Sequence, residues 1–190
     1  ITEREVDWEK GGFLTDYILN AEQKITPDEI LKQIIEIKRY FEEKAGVRID
    51  LNDLEVEFYP LLEDNVSASI AYVRKLPRWD GGYNQRIKFF GLDTEDYENV
   101  VYHELGHYLE NKFFNEEDFK KYVEWRNLDN TFFDECGSVW GWKPSEVFAE
   151  DFVKIFNNKR KNLTHARTLT AEQTSEFEEM IVKVLQKNYK

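Results

Sequence analysis

The chain has 190 residues, 41% hydrophobic and 15% aromatic, enough apolar content for a sizeable core and too much for a disordered segment. Its 26 lysines and arginines against 38 aspartates and glutamates leave a formal charge of −12. That argues against nucleic acid or an anionic membrane as the main partner, since both attract basic surfaces.

The acidity reads as a soluble surface, or more sharply as a preference for basic substrates. A lone cysteine, Cys136, rules out an internal disulfide, and in Asp-Glu-Cys-Gly it reads as a small packed residue. No stretch approaches 18 apolar residues, so no transmembrane helix is expected. No signal peptide is recognised, and a start at Ile1 fits a mature or trimmed form.

Residues 1–25 are mixed: Asp7 to Gly12 reads as an irregular start and Phe13 to Leu19 as a short helix. Thr26-Pro27-Asp28-Glu29 then opens a helix, with Thr26 as cap, Pro27 at the first position and Glu29 closing a capping box. Ile30, Leu31, Ile34, Ile35, Ile37 and Phe41 recur at helical spacing and Gly46 can end the run, which predicts a core-packing helix over 27–44. Val47 to Tyr59 reads as extended, with Leu54, Val56 and Phe58 alternating with Glu55 and Glu57 until Pro60. Val66, Ala68, Ile70 and Tyr72 alternate likewise. Pro77 to Asn84 reads as a turn-rich loop, and Arg86 to Gly91 as a further strand.

Asp93 or Thr94 can cap the next helix, placed at about 95–112, which contains His103-Glu104-Leu105-Gly106-His107. Histidines four apart project from one helical face, one turn apart, and can offer two neutral nitrogens to one Zn²⁺. Glu104 can hang beside such a metal without binding it and take a proton from water. Val100, Val101, Leu105 and Leu109 face away and can bury the helix. A catalytic zinc needs a third protein ligand. The chain offers one other histidine, His165, and Cys136, so a carboxylate is favoured. Glu116 to Asn127 reads as a helix and 128–143 as a long connection carrying Phe132, Phe133, Trp140 and Trp142. Pro144 begins a helix over 144–158 in which Glu146 and Glu150 share one face. Two facing helices can then bring Glu146 to His103 and His107, with Glu150 behind. Asn157 to Asn162 is a basic stop that complements the helix C-terminus. Thr170-Ala171-Glu172-Gln173 caps a last amphipathic helix bearing Phe177, Met180, Ile181, Val184 and Leu185.

His103-Glu104-Leu105-Gly106-His107, followed 39 residues later by Glu146 within Glu-Val-Phe-Ala-Glu-Asp-Phe, resembles the glutamate-zincins. The second block is similar to the anthrax lethal factor catalytic domain and the secreted Pro-Pro endopeptidases of that clan. The resemblance covers about residues 95–190. It implies one Zn²⁺ per chain held by His103, His107 and Glu146, with Glu104 as general base and Glu150 supporting the ligands from behind. It also implies an endopeptidase of narrow, proline-related specificity. Secretion is expected mainly on this basis, and the residues themselves leave the cytoplasm open. One departure stands out: these enzymes carry an oxyanion-stabilising tyrosine seven residues before the glutamate ligand, where this chain has Val139. Trp140, through its indole N–H or the backbone freed by Gly141, is the candidate substitute, with Tyr83 as the alternative.

The expected fold is α+β, one domain over 1–190, with a small twisted mixed sheet of three or four strands, packed helices, and the motif on a central helix. In zinc peptidases of this type the strand before the metal helix usually lies at a sheet edge, where an extended peptide can add. That role falls to Ile87-Lys88-Phe89-Phe90, with the loop from Trp79 to Asn84 overhanging; an ordinary interior strand is the competing reading. A monomer acting on a peptide or protein is expected. A catalytically weak zincin-like domain that binds or regulates is the alternative, and a chance occurrence of the motif is the third reading.

Overall fold

The computed structural model describes residues 2–8, 11–17, 25–59, 71–77, 83–90, 97–128, 141 and 143–189. In chain order these form β1 (Thr2–Trp8), β2 (Gly11–Tyr17), α1 (Pro27–Ala45), β3 (Leu54–Tyr59), β4 (Ala71–Pro77), β5 (Tyr83–Phe90), α2 (Tyr97–Phe113), α3 (Glu116–Arg126), α4 (Pro144–Phe156) and α5 (Ala171–Asn188). The class is α+β, as expected. The chain divides into two compact units, one of Ile1–Lys38 with Ile49–Glu104, the other of Arg39–Arg48 with Leu105–Lys190. Of the three points where the chain passes between them, one falls inside α1, one between α1 and β3, and one inside α2.

The first unit holds a mixed sheet in the order β1-β2-β3-β5-β4. Three strands pair along their length: β3 runs parallel to β5, and β4 antiparallel to β5. Leu54, Val56 and Phe58 are buried on β3, as are Ile87, Phe89 and Phe90 on β5, and Phe58 stacks on Phe89 at 5.8 Å between ring centres. The alternate residues meet on the other face. Arg86 bridges Glu55 at 2.7 Å and Glu57 at 2.8 Å, and Lys88 lies 3.6 Å from Glu57. Register Glu55↔Arg86 and Glu57↔Lys88 sets those opposite charges side by side.

Four expectations need correction here. Phe13 to Leu19 is not a short helix: Gly11–Tyr17 is a strand, hairpinned to Thr2–Trp8. That hairpin joins β3 through Thr15↔Val56 and Asp16↔Glu57, extending the sheet beyond three or four strands. Ile87 to Phe90 is not an edge: β5 lies between β3 and β4, and the edge strands are β1 and β4. β4 also runs through Pro77, and Tyr83 and Asn84 belong to β5 rather than to a loop. Residues 60–70 and 78–82 lie outside the described residues, including Val66, Ala68, Ile70 and Trp79.

α1 begins as its sequence predicts. Thr26 N–H and hydroxyl both donate to Glu29, each at 2.8 Å, and Glu29 N–H donates to the Thr26 hydroxyl at 3.2 Å. Gly46 leaves the helix at φ 65°, a left-handed conformation that glycine adopts without Cβ strain. The second unit is helical. Its core is aromatic: Phe148 of α4 meets Tyr122 at 4.9 Å, Phe177 at 5.0 Å and Phe114 at 4.9 Å, all edge-on. α5 starts at the expected box, with Thr170 and Gln173 capping each other.

Candidate metal centre

The motif helix is anchored where it begins. Tyr97, the first residue of α2, is 3% exposed and donates its hydroxyl to the carbonyl of Phe90, the last residue of β5, at 2.9 Å. Burial pushes the Tyr97 phenol well above its usual range and the negative charge of Glu104 adds to this, so it stays a neutral donor. Along α2, Val101, Leu105, Tyr108 and Leu109 are buried, as expected of the apolar face, while Val100 is only half-buried. Glu104 is 6% exposed; His103 and His107 are half-buried.

The two neighbouring tyrosines are committed elsewhere. Tyr102 donates to Glu98 at 2.8 Å, and burial, helped by that carboxylate, pushes its phenol up. Tyr108 is fully buried and accepts from Lys112 Nζ at 3.0 Å.

α4 reaches α2 at Gly106. A Cβ at that position would lie 2.9 Å from the Ala149 Cα and 3.0 Å from the Phe152 Cβ, closer than side chains tolerate. The missing side chain therefore lets the two helices touch beside His107. Pro144 starts α4, so Glu146 falls in its first turn, where the helix dipole favours a carboxylate. His107 Nε2 and Glu146 Oε2 stand 3.2 Å apart. His103 precedes His107 by one turn of the same continuous helix. One ligand atom from each of His103, His107 and Glu146 lies within 4.8 Å of the others.

The donor set can be tested against zinc. Ligand atoms about 2.0–2.2 Å from a tetrahedral ion lie roughly 3.3 Å from one another. The His107–Glu146 separation of 3.2 Å matches, and all three ligand atoms lie within 4.8 Å of one another. Two imidazoles and a carboxylate also form a ligand set of catalytic zinc, which leaves one position open. The residues fit the ion.

α4 is held in turn by the segment that follows it. Asp151, 1% exposed, accepts from Arg126 Nε at 2.7 Å, Tyr122 hydroxyl at 2.9 Å and Asn162 Nδ2 at 3.1 Å. Burial pushes the Asp151 carboxyl up, and Arg126 opposes it. Glu150, 3% exposed, accepts from Leu163 N–H at 3.1 Å and faces Arg160 Nε at 3.7 Å. The basic stop after α4 thus folds back on two of its acids, besides receiving Lys154 Nζ at the Asn158 and Arg160 carbonyls. His165 is not in the metal cluster; its N–H donates to the Gly141 carbonyl at 3.0 Å. Val139, Trp140, Trp142, Cys136, Asp93 and Thr94 lie outside the described residues, as does the side chain of Tyr83.

Two residues escaped the sequence reading. Gly106, between the histidines, is where α4 approaches α2 most closely, and no local sequence pattern signals that. Glu110, three residues after His107, places Oε2 4.0 Å from His107 Nδ1; the i,i+3 spacing was the available signal. Compared with known protein families, with curated proteins and with solved structures, the chain finds no match.

Proposed function

We propose that the chain is a zinc-dependent endopeptidase of the glutamate-zincin type. The observation that carries this reading is the convergence of His103 and His107 of α2 with Glu146 of α4, 39 residues after His107, to within 4.8 Å, beside a buried Glu104. His103, His107 and Glu146 would hold one Zn²⁺, which when bound polarises a scissile carbonyl and lowers the pKa of water towards 7. Glu104 takes the proton of the attacking water and returns it to the departing amine. Its neighbour Tyr97 helps fix the helix that presents it. Proline-related specificity and secretion rest on the resemblance of the two sequence blocks.

Cleavage profiling of the zinc-loaded chain against a diverse peptide library is the test, with Glu104→Gln as control. That change keeps size but removes the proton acceptor, and cleavage should fall at least about 10²-fold with zinc retained. Cleavage at wild-type rate in the variant would remove Glu104 from the mechanism. Val139 favours a second reading, a zinc-binding module with little or no turnover. It predicts one tightly bound zinc per chain and no cleaved peptide in the library.

A further inference from the structure

The two ring nitrogens of His107 face two different carboxylates. Nε2 is 3.2 Å from Glu146, and Nδ1 is 4.0 Å from Glu110. All three side chains are about equally enclosed: His107 is 14% exposed, Glu146 15% and Glu110 16%. Glu110 sits one turn further along α2, so helix geometry alone holds it near His107 whatever α4 does.

We infer that Glu110 is the positioning residue of His107: it accepts a hydrogen bond from Nδ1–H and so commits Nε2, unprotonated, to the metal. This rests on the zinc reading above. A neutral imidazole carries one proton, and a histidine that gives Nε2 to a metal must keep that proton on Nδ1. An acceptor on that side fixes the tautomer and the ring plane and makes the ligand nitrogen more basic. The 4.0 Å separation is longer than a hydrogen bond, so the role requires the Glu110 carboxylate to approach Nδ1 when zinc is bound. Glu150, which the sequence placed behind the ligands, has Leu163 N–H and Arg160 on its carboxylate. For His107, Glu110 takes that role.

The experiment uses the full chain, ¹⁵N-labelled at histidine and loaded with zinc. Proton–nitrogen spectra should show a downfield, slowly exchanging Nδ1–H for His107, assigned by its disappearance in His107→Ala. Glu110→Ala should lose that signal and bind zinc roughly 10–100-fold more weakly in a chelator competition. Glu110→Gln keeps an acceptor oxygen, so it should retain the signal and lose less affinity than the alanine variant. Glu150→Ala should leave the signal in place. Circular dichroism of each metal-free variant separates these effects from unfolding. If the wild-type chain binds no zinc, the metal reading itself fails. If it binds zinc while Glu110→Ala keeps both signal and affinity, only the role of Glu110 is overturned.

Discussion

Gly106→Ala isolates the device that brings Glu146 to His107. The added Cβ would meet the Ala149 Cα at 2.9 Å and the Phe152 Cβ at 3.0 Å. Carbon atoms rest at about 3.5–4.0 Å, so α2 and α4 must separate by at least about 0.6 Å. The first obstacle is backbone, so no rotamer change relieves it. Glu146 lies on α4 three residues before Ala149, and His107 directly follows Gly106, so the ligand pair opens by a similar amount. Metal sites tolerate about ±0.2 Å in ligand distance, well below that shift. Zinc affinity should therefore fall at least about 10-fold, the lower end of what lost support of a ligand costs. Stability moves less. Overpacking costs about 1–3 kcal/mol, and replacing a mid-helix glycine by alanine returns about 1 kcal/mol. The metal-free protein should lose about 0–2 kcal/mol. Chelator competition reads the first quantity and urea melts of the metal-free chain the second. Unchanged zinc affinity together with a gain of about 1 kcal/mol would mean that the close approach has nothing to do with the metal site.

Asp151→Ala should be the most damaging single change in the helical unit. It leaves Arg126, whose side chain is 7% exposed, buried beside Tyr122 without its carboxylate. A broken buried pair costs about 3–5 kcal/mol, or roughly 6–20 °C in melting temperature for a chain of this size. A loss of a degree or less in a calorimetric scan would show that Asp151 is dispensable to α4. Trp140→Phe, which keeps the ring and deletes the donor, should lower kcat more than it raises KM if the indole serves the oxyanion, by up to about 2.7–4 kcal/mol of transition-state stabilisation. Equal steady-state parameters in the two proteins would reject the indole.

The helices were legible because their signals are local. Thr26 with Glu29 and Thr170 with Gln173 are capping boxes readable from four consecutive residues, and both form. β3 was legible for the same reason: Leu54, Val56 and Phe58 are buried while Glu55 and Glu57 stay part-exposed, a period of two. The first hairpin was not. Glu9-Lys10 is the whole connection between Trp8 and Gly11, and charged residues interrupt any apolar alternation on either side. Strand order was beyond local reading altogether. The alternation of β5 looks the same at an edge as in an interior, and only its pairing with both β3 and β4 decides which it is.

The cluster of His103, His107 and Glu146 shows where that boundary runs in chemistry. His103 and His107 share a face by helical periodicity, and so do Glu146 and Glu150. Periodicity could not say which acid of α4 meets His107, because that depends on how far α4 slides along α2. The sliding is set by a void, not by a group: Gly106 offers no side chain, and Ala149 and Phe152 come to rest against it. With contact at 149 and 152, the residue one helical turn back from Ala149 is Glu146, which lands at His107, while Glu150 turns to Leu163 and Arg160. The glycine inside the motif thus selects which carboxylate outside it meets His107. By the same geometry Glu110, on α2 itself, needs no such selection, and the Nδ1 side of His107 has its carboxylate before α4 docks.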